Sequence, residues 1–252
     1  MLPLSVLVIA KNEEDNLPEC LASCRFAQEM LVVDAGSEDR TRDVAKAAGA
    51  RVVEHSFESH AKQKNWGLEQ LANDWVLVVD ADERVPEALA QEIRALLTRE
   101  PGPPHAGYWI YRRSTFLGRE IRGAGWQRDR VLRFFDRRRA RYAERLVHEE
   151  IELSAPPAGV LQQRLLHHPC RDLTSWMEKV NRYASAGARE AWSRGERATL
   201  VSLLLRPPAR FAKQYVLQGG FRDGWEGLML CAISSFGVFL KYAKLREIAR
   251  AR

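Results

Sequence analysis

The stretch "WVLVVDADERV", Trp75–Val85, decides how this chain is read. Five apolar residues run without a break into Asp80-Ala81-Asp82. A short, continuous, Val-rich run is the pattern of a strand buried on both faces, as in a parallel sheet. In an open parallel sheet ligands bind beyond the carboxyl ends of the strands, which is where Asp80 stands. In extended chain, residues i and i+2 point the same way. Asp80 and Asp82 are therefore expected to face one side together, with Ala81 on the other. Two hard oxygen ligands so placed suit Mg2+ or Mn2+. An ion held this way keeps sites for substrate phosphate and offsets the charge of a departing diphosphate. The plainer alternative is a helix cap, or a salt bridge to Arg84.

A similar phrase stands earlier, "MLVVDAGSEDRT", Met30–Thr41. Around the two phrases strands and helices alternate. "LSVLVIA" (Leu4–Ala10) reads as the first buried strand, followed by an amphipathic helix over roughly Asp15–Phe26. "EMLVVDA" is the second strand, and "SEDRTRDVAKAAGA" a helix with acids at its start and Gly49 near its end. "RVVEHSF" is the third strand, "AKQKNWGLEQLAND" a helix, and "WVLVVDAD" the fourth strand. "PEALAQEIRALLTRE" is a helix with Pro in its first turn. The alternation predicts an α/β fold, a Rossmann-like and mostly parallel sheet with helices on both faces. At the second strand's exit Asp34 is a candidate to accept hydrogen bonds from a base or ribose. Asn12 and Glu13, after the first strand, are candidates for the same role. A turn capped by Ser37 or Asp39 is the structural alternative. Neither G-x-x-x-x-G-K-[ST] nor G-x-G-x-x-G occurs at these strand ends, which disfavours an ATPase or a dinucleotide-dependent dehydrogenase.

The charge is divided. The net +6 of the 252 residues separates into −8 over residues 1–100 and +14 over residues 101–252. Residues 112–145 alone hold twelve arginines against four acids. A basic half seeks phosphate, whether on nucleic acid, anionic lipid or a phosphorylated glycan. The four cysteines form no C-x-x-C pair, no signal peptide is visible, and a reducing, cytoplasmic setting fits. "PGPPH" (Pro101–His105) marks a break, after which "GYWIYRRSTFLG" alternates like a strand and residues 130–153 suggest further strands and turns. From Asp172 helices dominate. The longest uncharged run there, Gly227–Leu240, has fourteen residues, short of the roughly 20 that span a bilayer. With "ATLVSLLL" (Ala198–Leu205) and flanking cations, it reads as a membrane-interfacial region.

The strand motifs, with "FLGREIRGAGWQRDRVLRFF", "RLVHEEI", "LLHHPCRDLTSWMEKVNRYA" and "QGGFRDGWEGL", resemble glycosyltransferase family 2, which has a GT-A fold. They are similar to its WaaE/KdtX-like branch, the lipopolysaccharide core glucosyltransferases. The resemblance covers nearly the whole chain. It implies a GT-A catalytic domain over residues 1–170, with a nucleotide-sugar half at 1–100 and an acceptor half at 101–170. A helical C-terminal extension over 171–252 completes the chain. It also implies a nucleotide-sugar donor, commonly UDP-glucose, a divalent ion, and inversion at the anomeric carbon in one displacement. Ala10, Asn12, Glu13 and Asp34 would line the nucleoside pocket, with Lys64 and Asn65 near the donor. Asp80, Ala81 and Asp82 would be the metal and diphosphate motif. One departure is visible: the common D-D-G-S is here Asp34-Ala35-Gly36-Ser37.

Single displacement needs a base to take the acceptor's proton. Glu149 and Glu150 are the candidates, and in extended chain they face opposite sides. The resemblance selects Glu149, the acid directly after His148. It also points to His167, ahead of His168, as a late ligand for the metal. Trp126, with Gly123 and Gly125 just before it, is a candidate to stack on an acceptor sugar, the alternative being an aromatic core residue. Arg128, Arg130 and Arg133, with Arg122, are candidates for acceptor phosphates. The expected reaction is glucosyl transfer to a phosphorylated glycolipid such as lipopolysaccharide inner core. It would proceed peripherally on an anionic membrane surface, the cytoplasmic face of the inner membrane. Polyprenyl phosphate or a surface polysaccharide is the alternative acceptor. A nucleic-acid partner is not expected, because a basic binding module leaves Asp80-Ala81-Asp82 unexplained.

Overall fold

A computed structural model describes residues 2–143, 151–154 and 157–250. The chain divides into two compact units, Met1–Arg112 with Arg130–His167, and Arg113–Asp129 with His168–Arg252. Residues 113–129 therefore belong with the C-terminal helices, a grouping that no break in the sequence announces.

The first unit opens with β1 (Leu2–Ala10), α1 (Leu17–Ser23), β2 (Ala27–Asp34), α2 (Thr41–Ala47), β3 (Arg51–Glu54), α3 (His60–Glu69) and β4 (Trp75–Val78). Then come β5 (Glu83–Arg84), α4 (Glu87–Leu97) and β6 (Gly107–Phe116), the last crossing into the second unit. The second unit contributes β7 (Arg119–Glu120), which pairs antiparallel with the end of β6 at Thr115↔Glu120. The first unit continues with β8 (Arg130–Asp136), β9 (Ala140–Tyr142), β10 (Ile151–Leu153), β11 (Gly159–Val160) and β12 (Leu165–His167).

The main sheet has the order β3-β2-β1-β4-β8-β6-β12-β5, and β11 pairs with β6. β3, β2, β1 and β4 run parallel. β8 is antiparallel to both β4 and β6, so the sheet is mixed. β1, β2 and β4 carry the continuous apolar runs of the sequence because both of their faces are covered. Leu4, Val6 and Val8 of β1 pack in a core with residues of α1, α2 and α4; Leu7 joins Leu68 of α3 on the other face. Each such fully buried Leu or Val contributes about 1.5–3 kcal/mol. Gly67 is where α3 crosses the sheet. A Cβ there would stand 2.8 Å from Leu7 Cδ1, so a larger residue would lift the helix.

The second unit carries α5 (Leu173–Ser193), α6 (Leu200–Ala212) and α7 (Gly224–Arg250). α5 and α6 each start on a reciprocal cap, Asp172 with Ser175 and Thr199 with Ser202, which satisfies exposed amides of the first turn. A π turn over Lys213–Leu217 and a 3-10 turn over Gly220–Asp223 lead into α7. Ala188 and Ala191 of α5 meet Tyr242 and Leu245 of α7. The helical stretch Gly220–Arg250 is, by length and composition, long and apolar enough to cross a bilayer, with mean hydropathy 1.5 and 22% of that window buried. The uncharged run read from the sequence is shorter than this helix, because a span tolerates charges toward its ends.

Candidate active site

The exit of β4 is a tight turn, and this changes the expected geometry of the two acids. Glu83 donates its amide to the Asp80 carbonyl at 2.9 Å, closing the turn over Asp80–Glu83. Asp80 and Asp82 do not follow the i, i+2 alternation of extended chain, and each has partners of its own. Asp80 lies 3.4 Å from Lys64 Nζ and is salt-bridged to Arg133. Burial opposes its ionisation, but the Arg133 guanidinium and the Lys64 ammonium outweigh it and hold the carboxyl well below the usual range. Asp82 Oδ2 lies 3.7 Å from His167 Nε2.

The positions follow from the fold. β8 runs antiparallel to β4 with Leu77 opposite Phe134, which brings Arg133 toward the β4 exit. α3, seated closely through Gly67, places buried Lys64 on the same carboxylate. β12 pairs with β5 with His167 opposite Glu83, which sets the imidazole beside Asp82. Glu83 itself is fully buried. It accepts hydrogen bonds from the Asp80 amide at 2.9 Å and from Arg112 at 3.2 Å. Burial, reinforced by the Asp80 charge against the pull of Arg133 and Arg112, pushes its carboxyl up to about 7. Neither Glu83 nor Arg112 was among the expected site residues. The signal was present in "DADER", where one acid must point inward from a two-residue strand.

Arg133 is the clearest correction. It was expected on an exposed basic face with acceptor phosphates, but it is 6% exposed and serves Asp80. Asp80, expected as a metal ligand, is paired here with two cations, Lys64 and Arg133. Among the described residues no group of three or more His, Cys, Asp or Glu is placed to hold a metal. Asp82 and His167 bring one carboxylate and one imidazole within 3.7 Å of each other. That donor set fits a divalent ion that completes its coordination with substrate phosphate.

At the β2 exit Asp34 is fully buried. Its Oδ2 accepts the amides of Gly36 at 3.2 Å and Ser37 at 3.0 Å, while buried Oδ1 has no hydrogen-bond partner. An open groove of about 580 Å3 lies beside it, lined by Lys11, Asp34, Gly36, His55 and Phe57 among others. Phe57, 46% exposed, and His55, stacked on Trp66, were not anticipated; an aromatic pair just past a third strand exit was the available signal. Asn12 adopts a left-handed φ of 56° and accepts the Glu38 amide, and the Glu13 amide donates to Thr41. These bonds stitch the first two exits together. Ala10 is buried, and its carbonyl accepts the Ala35 amide. Asn65 exchanges two hydrogen bonds with the Tyr142 backbone, which locks α3 to β9. Ala81 is buried, its carbonyl accepting from Arg84.

The remaining expected residues are spread out. Arg130 is exposed, its guanidinium 4.9 Å over the Trp109 ring. In the second unit Arg128 is exposed and Trp126 packs edge-on against Trp176 at 6.1 Å. His168 shares a 2.9 Å hydrogen bond with Thr115 there. Glu149 and Glu150 lie outside the described residues.

Residues 5–149 match Glycosyl transferase family 2, and the chain belongs to that family. It is a glycosyltransferase. "Lipopolysaccharide core biosynthesis glycosyltransferase LpsC" of Rhizobium meliloti (strain 1021) is 29% identical, over 100% of this chain and 95% of that protein. "Uncharacterized glycosyltransferase RT0209" of Rickettsia typhi (strain ATCC VR-144 / Wilmington) is 25% identical, over 99% and 88%. Among solved structures, glucosyl-3-phosphoglycerate synthase from Mycobacterium tuberculosis is 26% identical over 46% of this chain and 45% of its own, with a TM-score of 0.35.

Proposed function

We propose that this chain is an inverting glucosyltransferase that moves glucose from UDP-glucose to a phosphorylated glycolipid of the lipopolysaccharide inner core, at the cytoplasmic face of the inner membrane. The observation that carries the reading is the β4 exit, where Asp82 turns to His167 at 3.7 Å while Asp80 is neutralised separately. The name of the Rhizobium relative, whose full length this chain nearly spans, supports the acceptor class.

In this reading Asp34 offers its unpartnered Oδ1 to donors of the nucleoside in the adjoining groove. Asp82 and His167 would hold Mg2+ or Mn2+, which would supply charge compensation to the leaving diphosphate. Lys64 and Arg133 fix the Asp80 carboxylate and add positive charge on the same side of the turn. Glu149 takes the proton of the acceptor hydroxyl as its oxygen bonds to the anomeric carbon and the bond to diphosphate breaks. Exposed Arg128 and Arg130 receive acceptor phosphates.

The test is thermal stabilisation of the protein against a panel of nucleotide-sugars, with and without Mn2+. UDP-glucose should stabilise only with metal, and Asp82→Ala should abolish that response while keeping the unliganded melting temperature. Glu149→Gln should keep donor binding and lose transfer by about 100-fold or more. Absence of a response to any sugar nucleotide would overturn the reading, and full turnover by Glu149→Gln would remove that residue from it.

A further inference from the structure

α6 and the turn after it leave an apolar face uncovered. Leu200, Val201, Leu204 and Leu205 are between 61% and 65% exposed, and the turn adds Val216 and, at 82%, Leu217. Positions 200, 201, 204 and 205 repeat at i, i+1, i+4 and i+5, one stripe of a helix. The opposite side of α6 is occupied: Ser202 and Pro207 are buried, and Leu203 packs with the cluster of α5 and α7. Phe221 and Trp225 extend the exposed apolar surface, with Trp225 74% exposed. An uncovered patch of this extent marks an interaction site.

Charge says what covers it. From Ala198 to Phe221 the chain has three charged residues, Arg206, Arg210 and Lys213, all cations. Arg206 lies over the Tyr242 ring at 4.8 Å and Arg210 reaches Ser234, so both sit on the flank where α6 meets α7. An apolar stripe on a segment whose own charges are all cations complements an anionic lipid surface, where apolar side chains enter the acyl boundary and cations meet headgroups; Glu247 of α7 and Glu226 beside Trp225 are acids near it. A two-fold contact with a second copy would instead set these cations against their own images. With 13 residues α6 is too short to cross a bilayer, which takes roughly 20.

We infer that the second unit docks on an anionic membrane leaflet through this face, with α6 lying in the plane of the interface, Leu200, Val201, Leu204, Leu205 and Leu217 inserted, and Trp225 at the headgroup level. α7 is then the support that packs behind α6. The inference rests on the proposed membrane location and deepens it, using exposed residues that the transfer reaction does not use; its test reads binding alone, so its failure would withdraw that location and leave the transfer chemistry standing.

The experiment is co-sedimentation of the full chain with phosphatidylcholine vesicles, with and without phosphatidylglycerol, at low and high salt. The wild type should bind the anionic vesicles, more weakly in high salt. Leu204→Glu/Leu205→Glu should lose binding about tenfold or more at an unchanged melting temperature, because both side chains are exposed. Arg210→Gln/Lys213→Gln should weaken binding to anionic vesicles specifically. Four results would overturn the inference: no binding by the wild type, equal binding by both variants, a wild-type dimer that Leu204→Glu/Leu205→Glu turns into a monomer, or wild-type protein that alkaline carbonate fails to release, the mark of a spanning helix.

Discussion

β2 and β4 leave the sheet on the same five residues, Leu-Val-Val-Asp-Ala, at 31–35 and 77–81. The two aspartates end in opposite circumstances. Asp34 is fully buried and held by its own loop, through the amides two and three residues on. Asp80 keeps its side chain 36% exposed and is held from a distance, by Lys64 of α3 and Arg133 of β8. Identical strands thus deliver identical acids, and the loop and neighbouring elements at each exit decide its chemistry. The locally held acid keeps one buried oxygen without a hydrogen-bond partner. The remotely held acid is balanced, and the next acid, Asp82, is the one that faces an imidazole. Had Arg133 and Lys64 gripped both acids, no carboxylate at β4 would remain for a metal.

The contrast breaks first at its cations. Arg133→Met removes a buried guanidinium from between Asp80 and Glu83 and should cost about 3–5 kcal/mol. Arg42→Met at the β2 exit removes a 3.9 Å contact from a side chain 35% exposed, and should cost less than about 1 kcal/mol. Urea denaturation of the two variants measures the difference. Equal costs would show that Asp80 is not held by Arg133.

Glu83 gives a pH test confined to the β4 exit. Its folded-state carboxyl is raised to about 7 by burial, so the folded protein holds a proton that the unfolded chain has released. Stability from this group is therefore full below the ordinary carboxylate range and is lost as pH rises through about 7. Glu83→Gln should remove on the order of 2 kcal/mol of that decline. Melting curves of wild type and variant across the window check it; parallel curves would mean that Glu83 is ionised throughout.

The two exits also differ in how far the sequence disclosed them. β1, β2 and β4 were readable from their apolar runs, because burial on both faces leaves few polar positions to confuse the period, while the edge strand β3 is a short Arg-Val-Val-Glu. The Asp34 loop was readable in outline, since Gly36 and Ser37 are its neighbours in the chain. The partners of Asp80 were not. Arg133 reads as one of twelve arginines in a basic segment, and only the antiparallel register of β8 on β4 brings it inward. The turn at Asp80–Glu83 was hidden too, because "VVDADER" continues the appearance of a strand while Glu83 folds back to hold the Asp80 amide. Asn65, which the family resemblance sets near the donor, ties α3 to Tyr142, a contact between residues 77 apart.

The smallest effect isolates the loop at β2. Gly36 has φ +81°, where an L side chain is strained, and no atom lies within 4 Å of a Cβ built on it. Gly36→Ala therefore meets no clash and should cost about 1 kcal/mol through the backbone alone. Gly36→Asn, which tolerates the left-handed region, should cost less. Because the Gly36 amide donates to Asp34 Oδ2, the Ala variant should also weaken nucleotide-sugar binding more than it weakens the fold. No such strain is available at β4, where Asp82 occupies the equivalent position and is not among the residues with positive φ. If Gly36→Ala proves silent in both stability and donor binding, the loop is not what holds Asp34, and its burial against the sheet must hold it instead.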